Sequence, residues 1–456
     1  MMARLRHWLH RRRYPQRYAQ LDQLMPTQTL DRAALLAKQQ RDLSDIVCFA
    51  AAHTPYYAES LPPMLHGGAP DICTLPILRK DTVRQRLADL LADTADRSQT
   101  PIGHTGGSTG KPLAFYYNDA KHELMRAGMM RSYQLSGWRP GQKILNFWGA
   151  RQDVVPGGVF GAKLGIHALI DDFIAAEHTI SAYEYTEEKL VEWARFIQSY
   201  QPVLLQGYAS ILSEVARVVI EKKLPMPASL IGVYSTAEVL TDSQRQQMQR
   251  AFGCRVFNQY GSREIPNIAC ECRLGHLHVF TDMVVLESVP QQNETGGSEN
   301  RLLVTSLTNR LMPMIRYDIG DSGRLLDGEC ACGLPFPLME MDLCRHNDHI
   351  RTSAGKTLHP AYFNRLLAGQ TQVRQYQWVQ HAFDRITLNL IAAERLDEAA
   401  LATLQARLYR DIDARMTLEV NYLDDIPRTR SGKHRFVIGM NLKPDSNSSP
   451  KRNTSI

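Results

Sequence analysis

Short apolar stretches alternate with amphipathic stretches between residues 143 and 261, and this alternation constrains the fold more than any other feature. The apolar stretches have the length of buried strands: KILNFWGA, PVLLQGY, LIGVYSTAE and CRVFNQYG. The stretches between them repeat apolar residues at helical spacing: EEKLVEWARFIQSY, ILSEVARVVIEKK and DSQRQQMQRAF. This order of strands and helices predicts an α/β fold with a mostly parallel sheet covered by helices.

The pattern differs on either side of this region. Residues 20–60 place Leu35, Ile46 and Phe49 at helical spacing, so we expect a helical lead-in over residues 1–60. After Leu302, short strands are predicted in RLLVTSL, MIRYDIG and GRLLDGE. We therefore expect one large N-terminal domain over residues 1–345.

A small α+β domain is predicted over residues 346–440. Its predicted strands are DHIRT, YQWVQHA, ITLNLIAA and LEVNYL, and its predicted helices are YFNRLLAG and LDEAALATLQARLYRDIDA. Residues 441–456 are polar and contain proline, so we expect a disordered tail.

Composition excludes several classes of protein. The chain has 456 residues, 44% of them hydrophobic, which is enough for a large core, and eight cysteines are too few for a disulfide framework. We find no apolar signal-peptide region and no apolar run that approaches the ~18 residues of a membrane span, so we expect a soluble cytoplasmic protein.

The first residues, MMARLRHWLHRRRYPQRY, are strongly basic although the net charge is only +6. A solvated first helix is the simplest interpretation, and weak peripheral contact with a membrane surface is the alternative. The segment lacks the interleaved aromatic residues of a single-strand nucleic-acid platform, so we expect no nucleic-acid partner.

The stretch HTGGSTGKP, from His104 to Pro112, is rich in glycine and hydroxyl residues. It is not a P-loop, because Thr105 stands where the first glycine would be and Lys111 is followed by proline. Two interpretations remain open, a phosphate-binding loop of another kind and a flexible turn.

Three further motifs carry polar groups at predicted strand ends or in loops. QYGSREIP offers Tyr260 for stacking and Glu264 for a divalent cation, RYDIGDSGR offers Asp321 for two ribose hydroxyls, and PRTRSGKHR offers Lys433 as a positive charge. Each motif also has a purely structural interpretation. QYGSREIP would then be a surface turn, RYDIGDSGR a β-turn and PRTRSGKHR a solvated basic loop.

These motifs, taken in this order with STAE at residues 235–238, resemble the adenylate-forming superfamily over roughly residues 40–440. Closer similarity is to the phenylacetate–CoA ligase branch, which includes capsular-polysaccharide members similar to CapK. The stretches that carry it are TPYYAESLPP, LPILRKD, QGYASIL, STAEVLT, MPMIRYDIGD and CACGLP.

The resemblance assigns roles to individual residues. It implies that the catalytic residues are Lys433, Glu264 (a Mg²⁺ ligand) and Thr109, and that Asp321 binds the ribose. The residues implied to surround the nucleotide are Thr105, Gly106, Gly107, Ser108, Thr109, Gly110, Lys111, Ser235, Ala237, Glu238, Tyr260, Gly261, Asp321 and Arg345. A hinge at Asn347 and Asp348 would make the C-terminal domain mobile, although Cys344 replaces the glycine that the family has before Arg345.

The activity implied is an AMP-forming acid–thiol ligase that uses ATP, Mg²⁺ and CoA. An aromatic or otherwise hydrophobic carboxylic acid would be activated as its acyl-adenylate and then transferred to CoA. Two alternatives stay open. One is an adenylating enzyme that passes the acyl group to a carrier protein, an amine or a sugar in cell-surface polysaccharide assembly, and the other is a non-catalytic nucleotide-binding protein.

Two cysteine pairs suggest a structural zinc site. Cys270 and Cys272 lie in ACECRLGHLH, and a second Cys-x-Cys lies in GECACG. The four ligands that we expect are Cys272, His278, Cys330 and Cys332, in part because ECRLGHLH resembles the branch's Cys…Leu-His segment. The alternative is a set of reduced thiols without metal, which is also our interpretation of Cys48, Cys73, Cys254 and Cys344.

Overall fold

The structure is a computed structural model. It describes residues 2–61, 71–105, 113–148, 173–182, 186–292, 298–341, 350–352, 357–358, 363, 366–367, 370, 372–426 and 435–440. These residues fall into two compact units, a larger one drawn from 1–291 and 298–346 and a smaller one drawn from 347–426 and 435–456.

Helices form the N-terminal part of the larger unit, as predicted for residues 20–60. They are α1 Met2–Arg13, α2 Pro15–Leu24, α3 Arg32–His53, α4 Pro55–Ser60 and α5 Lys80–Gln85. The basic first segment is helical but not fully solvated, since His10 is buried and its Nδ1 lies 2.9 Å from the hydroxyl of Tyr18. Arg17 is also buried and forms an ion pair with Glu123 at 2.9 Å.

A hairpin and one large sheet follow. The hairpin is β1 Ile102–His104 with β2 Ala114–Tyr116. Among the described residues, eleven strands form the sheet in the order β10-β11-β12-β13-β9-β8-β7-β6-β5-β3-β4. Their bounds are β3 Ile144–Trp148, β4 Glu177–Ser181, β5 Leu204–Tyr208, β6 Gly232–Thr236, β7 Arg255–Tyr260, β8 Ala269–Glu271, β9 Leu277–Val279, β10 Val284–Gln292, β11 Ser298–Ser306, β12 Tyr317–Leu326 and β13 Leu338–Met341.

The strands from β3 to β7 are parallel, and helices cover them as the alternating pattern predicts. These helices are α6 Asp119–Gln134, α7 Glu187–Tyr200, α8 Ala209–Glu221 and α9 Asp242–Phe252. Leu190, Ile197 and Val215 on the helices pack with Leu205 and Val233 of the strands in one buried cluster. The predicted α/β fold is therefore confirmed, while β7 to β9 and β11 to β13 add an antiparallel half.

One sequence prediction is corrected in that half. MIRYDIG and GRLLDGE were predicted as two strands, but the structure has the single strand β12 across both. Gly320 has a positive φ of 76°, and the register with β11 shifts nearby, so the Gly320–Asp321 pair forms an irregularity within a strand. Pairing with β11 on one edge and β13 on the other outweighs the local turn preference.

The smaller unit is an α+β arrangement, as predicted. Its elements are β14 Ile350–Arg351, β15 Thr357–Leu358, β16 Val373–Ala382, β17 Arg385–Ala392, α10 Glu398–Asp411, β18 Thr417–Tyr422 and β19 Val437–Ile438. A sheet of order β18-β17-β16-β19 packs Trp378 and Leu388 against Leu404 and Leu408 of α10. The helix predicted over YFNRLLAG falls largely outside the described residues, and the predicted tail lies wholly outside them.

No helix in the described part of the chain is both long and apolar enough to cross a lipid bilayer.

Candidate functional site

The polar residues predicted at strand ends gather at one edge of the sheet, because parallel strands place their carboxyl ends at the same edge. Ser235 lies in β6, Ala237 and Glu238 follow it, and Tyr260 ends the neighbouring strand β7. Ala237 has a positive φ of 67°. Oε2 of Glu238 accepts a hydrogen bond of 2.8 Å from the backbone N–H of Ser210, so this carboxylate is held at the first turn of α8.

Two tyrosines hold the two predicted carboxylates. The hydroxyl of Tyr260 donates to Oδ2 of Asp321 at 3.1 Å, and the hydroxyl of Tyr317 donates to Oε1 of Glu264 at 3.0 Å. Burial, and then the charges of Glu264 and Asp321, raise the pKa of Tyr317 well above its ordinary value. Tyr317 therefore remains a hydrogen-bond donor, and the structure brings Glu264 and Asp321 to one place.

The segment that carries Glu264 is a tight turn after β7. The backbone N–H of Ser262 donates to the carbonyl of Ile265 at 2.9 Å, which leaves Glu264 inside the turn and buried. A Cβ on Gly261 would lie 2.9 Å from the backbone nitrogen of Asn267, so the close approach requires glycine. Asn267 in turn donates to the carbonyl of Met125 at 2.9 Å and fixes the turn on α6.

The same turn contacts the base of the predicted phosphate hairpin. Thr105 follows β1, and its Oγ1 accepts a hydrogen bond of 2.9 Å from the backbone N–H of Leu113. A guanidinium nitrogen of Arg263, next to Glu264, donates to the carbonyl of His104 at 3.4 Å. Thr105 thus lies directly after β1 and next to the turn that carries Glu264.

Several predicted site residues lie outside the described residues. They are Gly106, Gly107, Ser108, Thr109, Gly110, Lys111, Arg345, Asn347, Asp348 and Lys433.

The four predicted zinc ligands converge. The possible ligand atoms of Cys272, His278, Cys330 and Cys332 all lie within 4.8 Å of one another. Bonds of about 2.3 Å to sulfur and about 2.0 Å to nitrogen in a tetrahedral zinc site imply ligand separations of about 3.8 Å and about 3.5 Å. The Sγ atoms of Cys272 and Cys330 are 3.8 Å apart, and Sγ of Cys332 is 3.4 Å from Nε2 of His278.

The local backbone also suits a metal. Backbone N–H groups of Leu274, Cys332 and Leu334 point at the Sγ atoms of Cys272, Cys330 and Cys332, respectively, at 3.3–3.5 Å. Gly275 and Gly333 close the two turns, each with a φ of 86°. These donors stabilise thiolates, the form in which cysteine binds zinc.

His278 is arranged as a metal ligand would be. Its Nδ1 lies 2.9 Å from the carbonyl oxygen of Phe336, which as an acceptor fixes the proton on Nδ1 and leaves the Nε2 lone pair toward the cluster. Burial lowers the pKa of His278, so the imidazole is neutral at pH 7. Cys270, the remaining member of the first pair, is not in the cluster and packs in the main hydrophobic core.

Sequence reasoning missed three residues that shape this site. Tyr317 lies inside the RYDIGD motif without having been given a role, and Asn267 lies one residue beyond QYGSREIP. Lys121 in α6 lines a cavity beside Glu264 and belongs to no motif that the sequence marks. The contacts of all three depend on residues distant in the chain, so periodicity gives no signal for them.

Comparison with known proteins shows which proteins the chain resembles. Residues 350–440 match the family model described as the CapK C-terminal domain. The chain is 26% identical to protein CapK of Staphylococcus aureus, over 82% of this chain and 81% of the relative. It is 27% identical to a phenylacetate–coenzyme A ligase of Thermus thermophilus, over 91% of this chain and 98% of the relative.

Solved structures show the same fold. A crystal structure of 2-hydroxyisobutyryl-CoA ligase in the postadenylation state aligns with a TM-score of 0.68 at 18% identity, covering 91% of each chain. A structure of that ligase with 2-HIB-AMP and CoA in the thioesterification state aligns with a TM-score of 0.57 at 19% identity over 91% of each chain. The similarity to phenylacetate–CoA ligases bears out the predicted enzyme class, an AMP-forming acid–thiol ligase. The chain is therefore similar over most of its length to protein CapK and to phenylacetate–CoA ligases, and its residues 350–440 match the CapK C-terminal domain, as the sequence resemblance predicts.

Proposed function

We propose that the protein activates a carboxylic acid with ATP and then transfers the acyl group to the thiol of CoA. The observation that carries this proposal is the convergence of Glu264, Asp321 and the base of the 102–116 hairpin at one edge of the sheet. Two carboxylates held by tyrosines beside a glycine-rich hairpin suit a nucleotide with its metal and phosphates. We place the reaction in the cytoplasm, where both ATP and CoA occur.

In the first half-reaction, a carboxylate oxygen of the acid attacks the α-phosphorus of ATP. The bond from this phosphorus to the bridging oxygen breaks, and pyrophosphate leaves with the electron pair. Asp321 would accept hydrogen bonds from the ribose hydroxyls, and Thr105, held by the backbone N–H of Leu113, stands at the start of the segment that by resemblance binds the phosphates. Mg²⁺ held by Glu264 would neutralise phosphate charge.

In the second half-reaction, the thiolate of CoA attacks the acyl carbon, and AMP leaves with the electron pair of the broken bond. By resemblance, Lys433 bridges the carboxylate and the α-phosphate in the first step and moves away for the second. The hinge for this movement would be at Asn347 and Asp348, next to Arg345. We accordingly propose a large AMP-binding domain over residues 1–345 and a mobile domain over 346–440.

Two kinds of relative support different substrates and acceptors. Similarity to phenylacetate–CoA ligases favours an aromatic or otherwise hydrophobic acid with CoA as acceptor. The match to the CapK C-terminal domain and to protein CapK favours a second candidate. In that candidate the acyl-adenylate passes to a carrier protein, an amine or a sugar in polysaccharide assembly.

We also propose that Cys272, His278, Cys330 and Cys332 hold a structural Zn²⁺. The ligand separations, the N–H donors to sulfur and the fixed tautomer of His278 support this ion. It would join the turn between β8 and β9 to the turn before β13.

The experiment that tests the activity is ATP–pyrophosphate exchange over a panel of aromatic, fatty and amino acids, first without CoA. Exchange with one class of acid would establish adenylation and identify the substrate class, and adding CoA would separate thioester formation from transfer to another acceptor. Lys433→Ala should abolish exchange yet still form thioester from supplied acyl-adenylate. ATP binding without exchange for any acid would contradict the proposal.

A further inference from the structure

A cavity of about 370 Å³ lies beside Glu264 in the larger unit. Asn118 and Lys121 at the start of α6 form one wall, and Ser306 at the end of β11 and Asn309 after it form another. Apolar side chains that include Leu124, Met125, Ile265 and Leu311 line the rest. The cavity thus offers polar groups at one place and an apolar surface beside them.

Two buried donors that line this cavity have no hydrogen-bond partner among the described residues: Nζ of Lys121 and Nδ2 of Asn309. Among the described residues, Asn309 is engaged through Oδ1, which accepts from the backbone N–H of Met312 at 3.2 Å. A buried donor without a partner costs about 1–3 kcal/mol. Two such donors in one cavity therefore indicate that a ligand with acceptor atoms belongs there.

Charge points to an anion rather than to water alone. Burial lowers the pKa of Lys121 to about 8 while the charge of Glu264 opposes the shift, so the amine is mostly charged at pH 7. The charged residues that line the cavity with it are Glu264, which Tyr317 already holds, and Arg310, which is exposed. The ring of Phe115, with its centroid 4.9 Å from Nζ, compensates only part of the buried charge.

We propose that this cavity binds an oxyanion, a carboxylate or a phosphate of one of the reaction's own substrates, with Lys121 as charged donor and Asn309 as neutral donor. The inference rests on the proposed function and assigns two residues to it that no sequence motif marks. The apolar lining suits the carboxylate end of a small acid, and the proximity of Glu264 suits a pyrophosphoryl group. Both sources present the same oxygen atoms to the same two donors.

The test is calorimetric titration of two probes, pyrophosphate with Mg²⁺ and phenylacetate, into wild-type protein and into Lys121→Met. Lys189→Met is the matched control, because Lys189 is also the third residue of a helix with a side-chain N-cap but is exposed. We expect Lys121→Met to raise Kd at least tenfold for one probe, which identifies the source of the oxyanion. The control should stay within twofold.

Asn309→Asp provides a second variant that keeps the acceptor for Met312 and replaces the free donor with a repelling charge. It should weaken binding of the same probe as Lys121→Met. Unchanged Kd values in both variants, or no binding of either probe to wild-type protein, would overturn the oxyanion site. Since the titration requires no turnover, binding that depends on Lys121 supports the site even where the exchange assay detects no adenylation.

Discussion

At the scale of single residues, the site depends on two tyrosines that orient two carboxylates. Tyr260 donates to Oδ2 of Asp321 and so orients this carboxylate. Tyr317 does the same for Glu264, and burial keeps its hydroxyl protonated. Because an oriented acceptor loses less freedom on binding, these contacts favour tight recognition of a ribose and a cation.

Asp321→Ala should raise the KM for ATP at least tenfold, about 1.4 kcal/mol of lost binding, while the KM for the acid changes little. The reason is that alanine removes the acceptor for the ribose hydroxyls. Steady-state exchange kinetics with each substrate varied in turn measures both constants. Asp327→Ala, an exposed position directly after β12, serves as control. An unchanged KM for ATP in Asp321→Ala would remove Asp321 from the ribose site.

At the scale of elements, local signals determined which predictions succeeded. α7 and α9 match the predicted stretches because apolar periodicity and caps coincide: Thr186 caps α7, and Thr241 with Gln244 forms a capping box on α9. The short strands β8, β9 and β13 carry no such signal, since three or four residues cannot show a period. β12 was divided in error because its pairing with distant strands is absent from the local sequence.

Packing of α1 also depends on a distant residue, Gly141, which no pattern marked. Gly141 has a φ of 89°, and an added Cβ would lie 2.2 Å from the carbonyl oxygen of Ala3 and 2.8 Å from the backbone nitrogen of His7. Gly141→Ala should therefore displace α1 and speed tryptic cleavage at its arginines, measured by limited proteolysis and thermal unfolding.

Gly137→Ala is the matched control for this prediction. Gly137 has a similar φ of 92°, but an added Cβ would meet nothing within 4 Å. The free energy of unfolding of Gly137→Ala should fall by only ~1–2 kcal/mol, the cost of a strained backbone, and α1 should stay protected from trypsin. Equal cleavage rates in the two variants would show that the close contact with Ala3 does not hold α1 in place.

At the scale of the whole molecule, the sequence predicted which segments would meet but not the atoms that join them. The cluster of Cys272, His278, Cys330 and Cys332 joins two segments more than fifty residues apart, as the cysteine spacing and the resemblance had indicated. The buried donors Nζ of Lys121 and Nδ2 of Asn309, which have no partner among the described residues, could not be predicted from the sequence. Burial without a partner is a property of the folded chain. The segment with Lys433 lies outside the described residues, so its role stays a prediction.

Measuring zinc tests whether a metal ion joins the segment with Cys272 and His278 to the segment with Cys330 and Cys332. Protein purified without chelator should contain about one zinc per chain by elemental analysis, and Cys330→Ser should contain none. Because the ion would hold the β8–β9 turn near the strand that carries Asp321, its loss should lower the melting temperature and reduce exchange activity. A chelator should produce the same changes in wild-type protein and no further change in Cys330→Ser.

Cys48→Ser is the control, because Cys48 is exposed and lies far along the chain from the four ligands. It should retain the metal, the melting temperature and the activity of the wild type. Wild-type protein without metal, or Cys330→Ser with full zinc content, would mean that hydrogen bonds alone hold the two turns together. In that case the separations of 3.8 Å and 3.4 Å among the ligand atoms would reflect thiol and imidazole packing rather than a tetrahedral ion.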